Sequence, residues 1–133
     1  MSTDELVKAA LAARLNAVAP YSNFKVGAAL LTEEGRIYTG CNIENATYGL
    51  TVCAERVALW KALSEGERRF RRIAVSSQSE RPATPCGSCR QLLWEYAGDI
   101  EIILANPQGR REKHQLKALF PEAFDASFLS GSL

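Results

Sequence analysis

Cys53-Ala54-Glu55 and Cys86-Gly87-Ser88-Cys89 are the segments of this chain whose residue types and spacing can do chemistry. Each follows a loop and opens a helix-like stretch. A helix N-terminus presents unpaired amides and partial positive charge, which lower thiol pKa values and favour thiolates. Three thiolates converging from two helix starts would give Zn²⁺ three protein ligands and leave a fourth position for water. That is the arrangement of a catalytic site, whereas a structural site is closed by four ligands. Water on such a metal ionises near neutral pH, with a pKa of about 7 in favourable sites. Glu55 lies two residues after Cys53, and on a helix that spacing separates side chains by roughly 200°, so the pair would not ligate one ion from mid-helix. In a first turn, however, the carboxylate can reach past the helix end to a metal-bound water, which suits a proton shuttle.

Other readings of the cysteines remain open on spacing alone. Cys-Gly-Ser-Cys at a helix start has the form of a thioredoxin-like dithiol, although that use leaves Cys53-Ala54-Glu55 without a role. Cys41 could close a four-cysteine structural site and make the chain a zinc-stabilised binding module. Cys41 ends a strand rich in small residues, where a buried free thiol is the commoner state, and it is expected in the core.

The elements that must position these groups can be read from periodicity. Ser2 and Glu5 have the form of a capping box, and Leu6, Ala9, Ala10, Ala13 and Ala17 then recur at helical spacing up to the loop at Pro20. Strands are expected over 24–31 and 36–41 about a turn at Glu33-Glu34-Gly35, and residues 42–52 show no clean period. A helix over 53–63 is apolar nearly all round, so part of it is expected to be buried against another subunit. A strand at 72–76, a helix over 86–96 stopped by Gly98, and a very hydrophobic strand at 100–105 follow. Pro107-Gln108-Gly109 is too short for a crossover, so a last strand at 110–115 must run antiparallel to its predecessor. A short helix over 116–120 closes the list. The alternation predicts an α/β fold with a mixed sheet flanked by helices.

With 133 residues, 47% of them hydrophobic, the chain suits one domain with one core. Sixteen Lys+Arg against 15 Asp+Glu leave a charge of +1, which gives no electrostatic case for nucleic acid or a membrane surface. The basic run Arg68, Arg69, Arg71 and Arg72 is partly balanced by Glu65 and Glu67, and His114 is expected at the surface. No apolar run approaches the ~20 residues of a membrane span, and the charged first segment is unlike a signal peptide, so a cytoplasmic protein is expected.

Taken together, Cys53-Ala54-Glu55-Arg56 and Pro85-Cys86-Gly87-Ser88-Cys89 resemble the zinc signature of the cytidine deaminases. The resemblance extends to Phe24-Lys25-Val26-Gly27-Ala28-Ala29-Leu30, to Gly40-Cys41-Asn42-Ile43-Glu44-Asn45-Ala46, and to Leu119-Phe120-Pro121-Glu122-Ala123-Phe124. It implies a three-layer α/β/α cytidine-deaminase-like fold with a mixed five-stranded sheet, the last two strands antiparallel, and one catalytic domain over residues 1–133. It further implies one Zn²⁺ per chain on Cys53, Cys86 and Cys89, with Glu55 as the catalytic proton shuttle. By the same resemblance Asn42 and Glu44 bind the ribose, Phe24 packs on the pyrimidine, and the Ala54 backbone contacts the base. Tyr48 and Phe124 match aromatics that reach a neighbouring subunit's site, in a homotetramer with shared active sites. Arg56 resembles an arginine that hydrogen-bonds the ligand thiolates. On spacing alone Asn42 and Glu44 would be turn residues and the phenylalanines core aromatics. The implied reaction is hydrolysis of cytidine and deoxycytidine to uridine and deoxyuridine plus ammonia, in pyrimidine salvage. Zinc hydroxide attacks C4 while Glu55 protonates N3 and later the leaving amine. A cytosine-containing antibiotic nucleoside such as blasticidin S is the nearest alternative substrate.

Overall fold

The computed structural model describes residues 3–129, so Ser2 and its expected capping box lie outside the described residues. The first helix, α1, spans Thr3–Arg14 and buries Leu6, Val7 and Ala10 along one stripe. It ends before the expected Ala17. The amides of Leu15, Asn16 and Ala17 reach back only three residues, to Ala12, Ala13 and Arg14, in the tighter 3₁₀ pattern.

Two strands follow, β1 (Val26–Thr32) and β2 (Ile37–Cys41), paired antiparallel about the expected turn. The first strand starts later than Phe24 because a side chain intercepts it. Asn42 Nδ2 donates to the Phe24 carbonyl and Asn42 Oδ1 accepts from the Val26 amide, both at 2.8 Å. The aperiodic stretch 42–52 is irregular, with a 3₁₀ turn at Tyr48–Leu50 and isolated bridges from Ile43 to Val18 and Val52. Helix α2 (Ala54–Ser64) and strand β3 (Phe70–Ser77) come next. That strand is longer than the expected 72–76 and adds Phe70, Arg71 and Ser77, and Arg72 pairs with Glu101 at 3.3 Å. Helix α3 (Gly87–Ala97), strands β4 (Glu101–Ala105) and β5 (Arg111–Gln115), and the one-turn helix α4 (Leu116–Leu119) complete the order. A further 3₁₀ turn at Ala126–Phe128 was not legible in the periodicity.

The five strands form one mixed sheet in the order β2-β1-β3-β4-β5. Only β3 and β4 run parallel, and α3 is the crossover that such a pair requires. The last two strands are antiparallel, as their short connection dictates. Successive side chains on a strand point to opposite faces, and both faces here are covered. Ala28, Leu30, Ile73, Val75, Ile102 and Leu104 meet Ala54, Ala58, Leu59 and Leu93 of α2 and α3. Ala29, Leu31, Ala74, Ile103 and Ala105 meet Leu6, Val7 and Ala10 of α1.

Two glycines set how closely the helices approach the sheet. A Cβ on Gly27 would lie 2.1 Å from the Ala10 carbonyl oxygen, and one on Gly40 would lie 2.6 Å from both the Ala54 oxygen and the Ala58 nitrogen. Cys41, expected in the core, is only half-buried because it ends the edge strand. His114 is also half-buried, with Nε2 3.2 Å from Glu112. Among the described residues no helix is long and apolar enough to cross a membrane.

Candidate active site

Cys53 and Cys86 stand at the N-caps of α2 and α3 with extended backbones. Neither side chain caps its own helix, so both sulfurs are free to turn outward. Cys89 follows Cys86 by three residues and shares its face of α3. The three Sγ atoms lie within 4.8 Å of one another, with Cys53–Cys86 at 4.0 Å and Cys86–Cys89 at 3.6 Å. Cys41 is not in the cluster, which excludes the closed four-cysteine site.

This donor set fits zinc. Tetrahedral bonds of about 2.3 Å separate ligand sulfurs by about 3.8 Å, between the two distances seen here. Cys53 and Cys89 also share one proton between them. Cys53 is drawn down to about 5, first by the hydrogen bond from Cys89 and then, against burial, by the charge of Arg56. Cys89 is pushed up by donating that bond and by its burial. A dication is what would let all three become thiolates. Arg56 places Nη2 3.9 Å from Cys53 Sγ, and its buried Nε has no hydrogen-bond partner among the described residues.

Glu55 lies in the first turn of α2 and is 5% exposed. Burial pushes its carboxyl up to about 7, helped by the nearby Cys53 charge. It shares a cleft of about 260 Å³ with Cys53, Ala54 and Cys86. Apolar Phe24 and Val26 line it, as do polar Asn42 and Glu44. Val75 and Ser77 of β3 and Thr84 of the following loop also line it. A small space with an apolar lining and a few polar groups is what a flat heteroaromatic ligand requires.

The polar residues are held tightly. Glu44 Oε1 accepts from the amides of Tyr21 at 2.9 Å and Ser22 at 3.1 Å, and Oε2 accepts from the Ser22 hydroxyl. These bonds, the hydroxyl's first, hold the Glu44 carboxyl below its ordinary range. Ser22 Oγ in turn accepts from the Phe24 amide at 3.0 Å. Asn42 and Glu44 therefore fix the segment that carries Phe24, besides facing the cleft.

Two expected residues do not reach this cleft. Tyr48 is 75% exposed and lies edge-on to Tyr21, lining an adjoining depression of about 320 Å³ that shares Ser22, Glu44 and Thr51 with the cleft. Phe124 is 55% exposed and stacks on Phe128 with ring centroids 5.4 Å apart. Conversely, Ser22, Val75, Ser77 and Thr84 line the cleft without having been singled out. Isolated small residues carry no spacing signal, and only the fold brings them there, Ser22 from the loop before β1 and the others from β3 and the loop after it.

The model of the cytidine and deoxycytidylate deaminase zinc-binding region matches residues 1–105. A cytidine deaminase of Sporosarcina psychrophila is 46% identical over 131 residues, covering 98% of this chain and 96% of that one. One from Halalkalibacterium halodurans is 49% identical over 127 residues, covering 95% and 96%. The crystal structure of cytidine deaminase from Burkholderia pseudomallei superposes with a TM-score of 0.90 at 49% identity, covering 93% of this chain and all of the other.

Proposed function

The chain belongs to the cytidine and deoxycytidylate deaminase family, whose members are zinc-dependent hydrolases, and we propose that it deaminates free cytidine and deoxycytidine in pyrimidine salvage. Its cofactor is zinc, and Cys53, Cys86 and Cys89 are the residues that would hold it. The observation that carries the reading is the buried Glu55 carboxyl in one cleft with Cys53 and Cys86, the two members of the sulfur trio that line it.

Zinc bound there supplies a water that ionises near neutral pH and a positive charge beside the reacting carbon. The remaining work belongs to the protein. Phe24 packs on the pyrimidine face, the Ala54 backbone contacts the base, and Asn42 and Glu44 hydrogen-bond the ribose. Glu55 takes the proton released by the attacking water and gives it to ring N3. It then takes the second proton from the hydroxyl left on C4 and gives it to the exocyclic amine. The water oxygen remains on C4, the C4–N4 bond breaks, and ammonia leaves. A carboxyl held near neutrality by burial suits both directions of transfer. Arg56 donates to the ligand thiolates.

The helices on both faces of the sheet support reading the fold as the family's three-layer α/β/α arrangement, with residues 1–133 as one catalytic domain. Tyr48 and Phe124, away from the cleft of their own chain, suit contacts to a neighbour's site in a homotetramer working in the cytoplasm. Absorbance-monitored cytidine turnover tests the function. The expected result is conversion to uridine that stops with a chelator and returns with added zinc. Turnover unaffected by full metal removal, or no turnover by the zinc-loaded protein, would contradict it.

A further inference from the structure

Arg90 directly follows the last cysteine of the cluster and has no part in the chemistry above. It lies in the first turn of α3, half-buried, with its guanidinium spread over three acceptors. Nε donates to the Pro85 carbonyl at 2.7 Å, Nη2 to the Thr84 hydroxyl at 2.9 Å, and Nη1 to the Leu119 carbonyl at 2.6 Å. The first two acceptors belong to the loop between β3 and α3, which ends at Cys86. Between Ser79 and Pro85 that loop makes no backbone-to-backbone hydrogen bond among the described residues. Side chains hold it instead. Asn106 Nδ2 donates to the Ser79 and Glu80 carbonyls at 3.2 and 3.0 Å, and Arg90 holds the end next to the cysteine.

The third acceptor is the end of α4, where the segment carrying Phe124 begins. Neighbouring residues of α3 continue that hold. Gln91 Nε2 donates to the Phe124 carbonyl at 2.8 Å, and Trp94 Nε1 to Asp125 Oδ2 at 3.1 Å. Cys86 is the most exposed of the three cysteines and sits outside the helix proper, so its sulfur is placed by the residues just before it. A rigid planar fork fixes three acceptors in one geometry, which a lysine ammonium on a flexible stem does not do.

We infer that Arg90 is a positioning residue that sets Cys86 against the other two sulfurs and, through Leu119, ties the C-terminal segment to the same loop. One side chain then bears on both the grip on the metal and the placement of that segment, which Gln91 and Trp94 hold further along. Only the first half of the inference rests on the zinc reading.

The test compares the parent with Arg90→Gln, Arg90→Lys, Gln91→Ala and, as a stability control from the core facing α1, Ile103→Val. Two quantities are read: zinc release to a chromophoric chelator, and hydrogen exchange of peptides covering 79–86 and 116–125. Arg90→Gln is expected to weaken the hold on zinc about 10-fold, the lower end for groups that support metal ligands, and to speed exchange in both segments. Arg90→Lys should fall between it and the parent. Gln91→Ala should speed exchange in 116–125 alone and release zinc as the parent does, and Ile103→Val should leave zinc release unchanged. Parent-like zinc release by Arg90→Gln, faster exchange in only one segment, or equal zinc loss in Ile103→Val would each overturn the inference. Should Arg90→Gln fail to fold, Arg90→Lys decides. Its cobalt-substituted form must then show an altered thiolate-to-cobalt absorption band, and an unaltered band refutes the assignment. A parent that binds no zinc would refute the metal reading instead, while the exchange pattern would still decide the link between loop and C-terminal segment.

Discussion

Glu55 and Arg56 are adjacent in sequence and serve opposite ends of one charge problem. Three thiolates around a dication leave a net negative charge, which weakens the metal as an acid. Arg56, 3.9 Å from Cys53 Sγ, is placed to offset it in the proposed site. Replacing Arg56 with Gln keeps hydrogen-bonding capacity but removes the charge. The expected loss of activity is about 10–100-fold, as for other groups that support ligands. Arg110→Gln is the matched control, because Arg110 is exposed and pairs only loosely with Glu112 at 3.7 Å. Equal activities of the two variants would remove this role from Arg56. That Cys53, Cys86 and Cys89 converge with Glu55 close by was legible in the sequence because these residues stand at two helix starts. Ser22 was not, because its importance lies in which carboxylate it touches. The partial exposure of Cys41 was not legible either, since a sequence does not say which strand is the sheet edge.

At the scale of elements, the site depends on how closely α2 approaches β2. Gly40 lets the backbone at Ala54 and Ala58 pack directly on the strand, and Gly27 does the same for α1 on the opposite face. An added methyl at either position overpacks a close contact and typically costs about 1–3 kcal/mol. The functional consequences should differ. Gly40→Ala displaces the helix that carries Cys53 and Glu55, so it should lower both zinc retention and turnover, whereas folded Gly27→Ala should lose thermal stability and keep its zinc. Zinc content and melting temperature, measured on both, check this, and parent-like zinc and turnover in folded Gly40→Ala would refute it. Element order and type followed from periodicity because most strands and helices here are hydrophobic in regular patterns. Boundaries slipped where a side chain competes with the backbone, as Asn42 does at the start of β1. The stretch 42–52 stayed unreadable because isolated bridges and a single 3₁₀ turn hold it.

At the scale of the molecule, the chain exposes large apolar side chains beyond its own core. Tyr48, Leu50, Trp60, Phe124, Phe128 and Leu129 are between 48% and 75% exposed. Aromatic residues in that number are the composition of an interface. Oligomers are mostly closed homo-oligomers, and in the proposed homotetramer an aromatic from a neighbour would exclude water from the cleft. Mixing Glu55→Gln chains with Phe124→Ala chains after dissociation tests this sharing. Hybrids would contain some sites with an intact Glu55 from one chain and an intact Phe124 from another, so activity should exceed the sum of the parents. No rise, with hybrids confirmed by mass, would mean that each chain completes its own site.

The central claim is that the sulfurs hold the metal while Glu55 moves the protons. Zinc content and cytidine turnover measured together on Glu55→Gln address it most directly. The amide cannot shuttle a proton but leaves the three sulfurs untouched, so the variant should carry the parent's zinc while turnover falls by at least ~10²-fold. Zinc lost along with activity would make Glu55 part of the metal's support, and retained zinc with turnover near the parent's would contradict the mechanism outright.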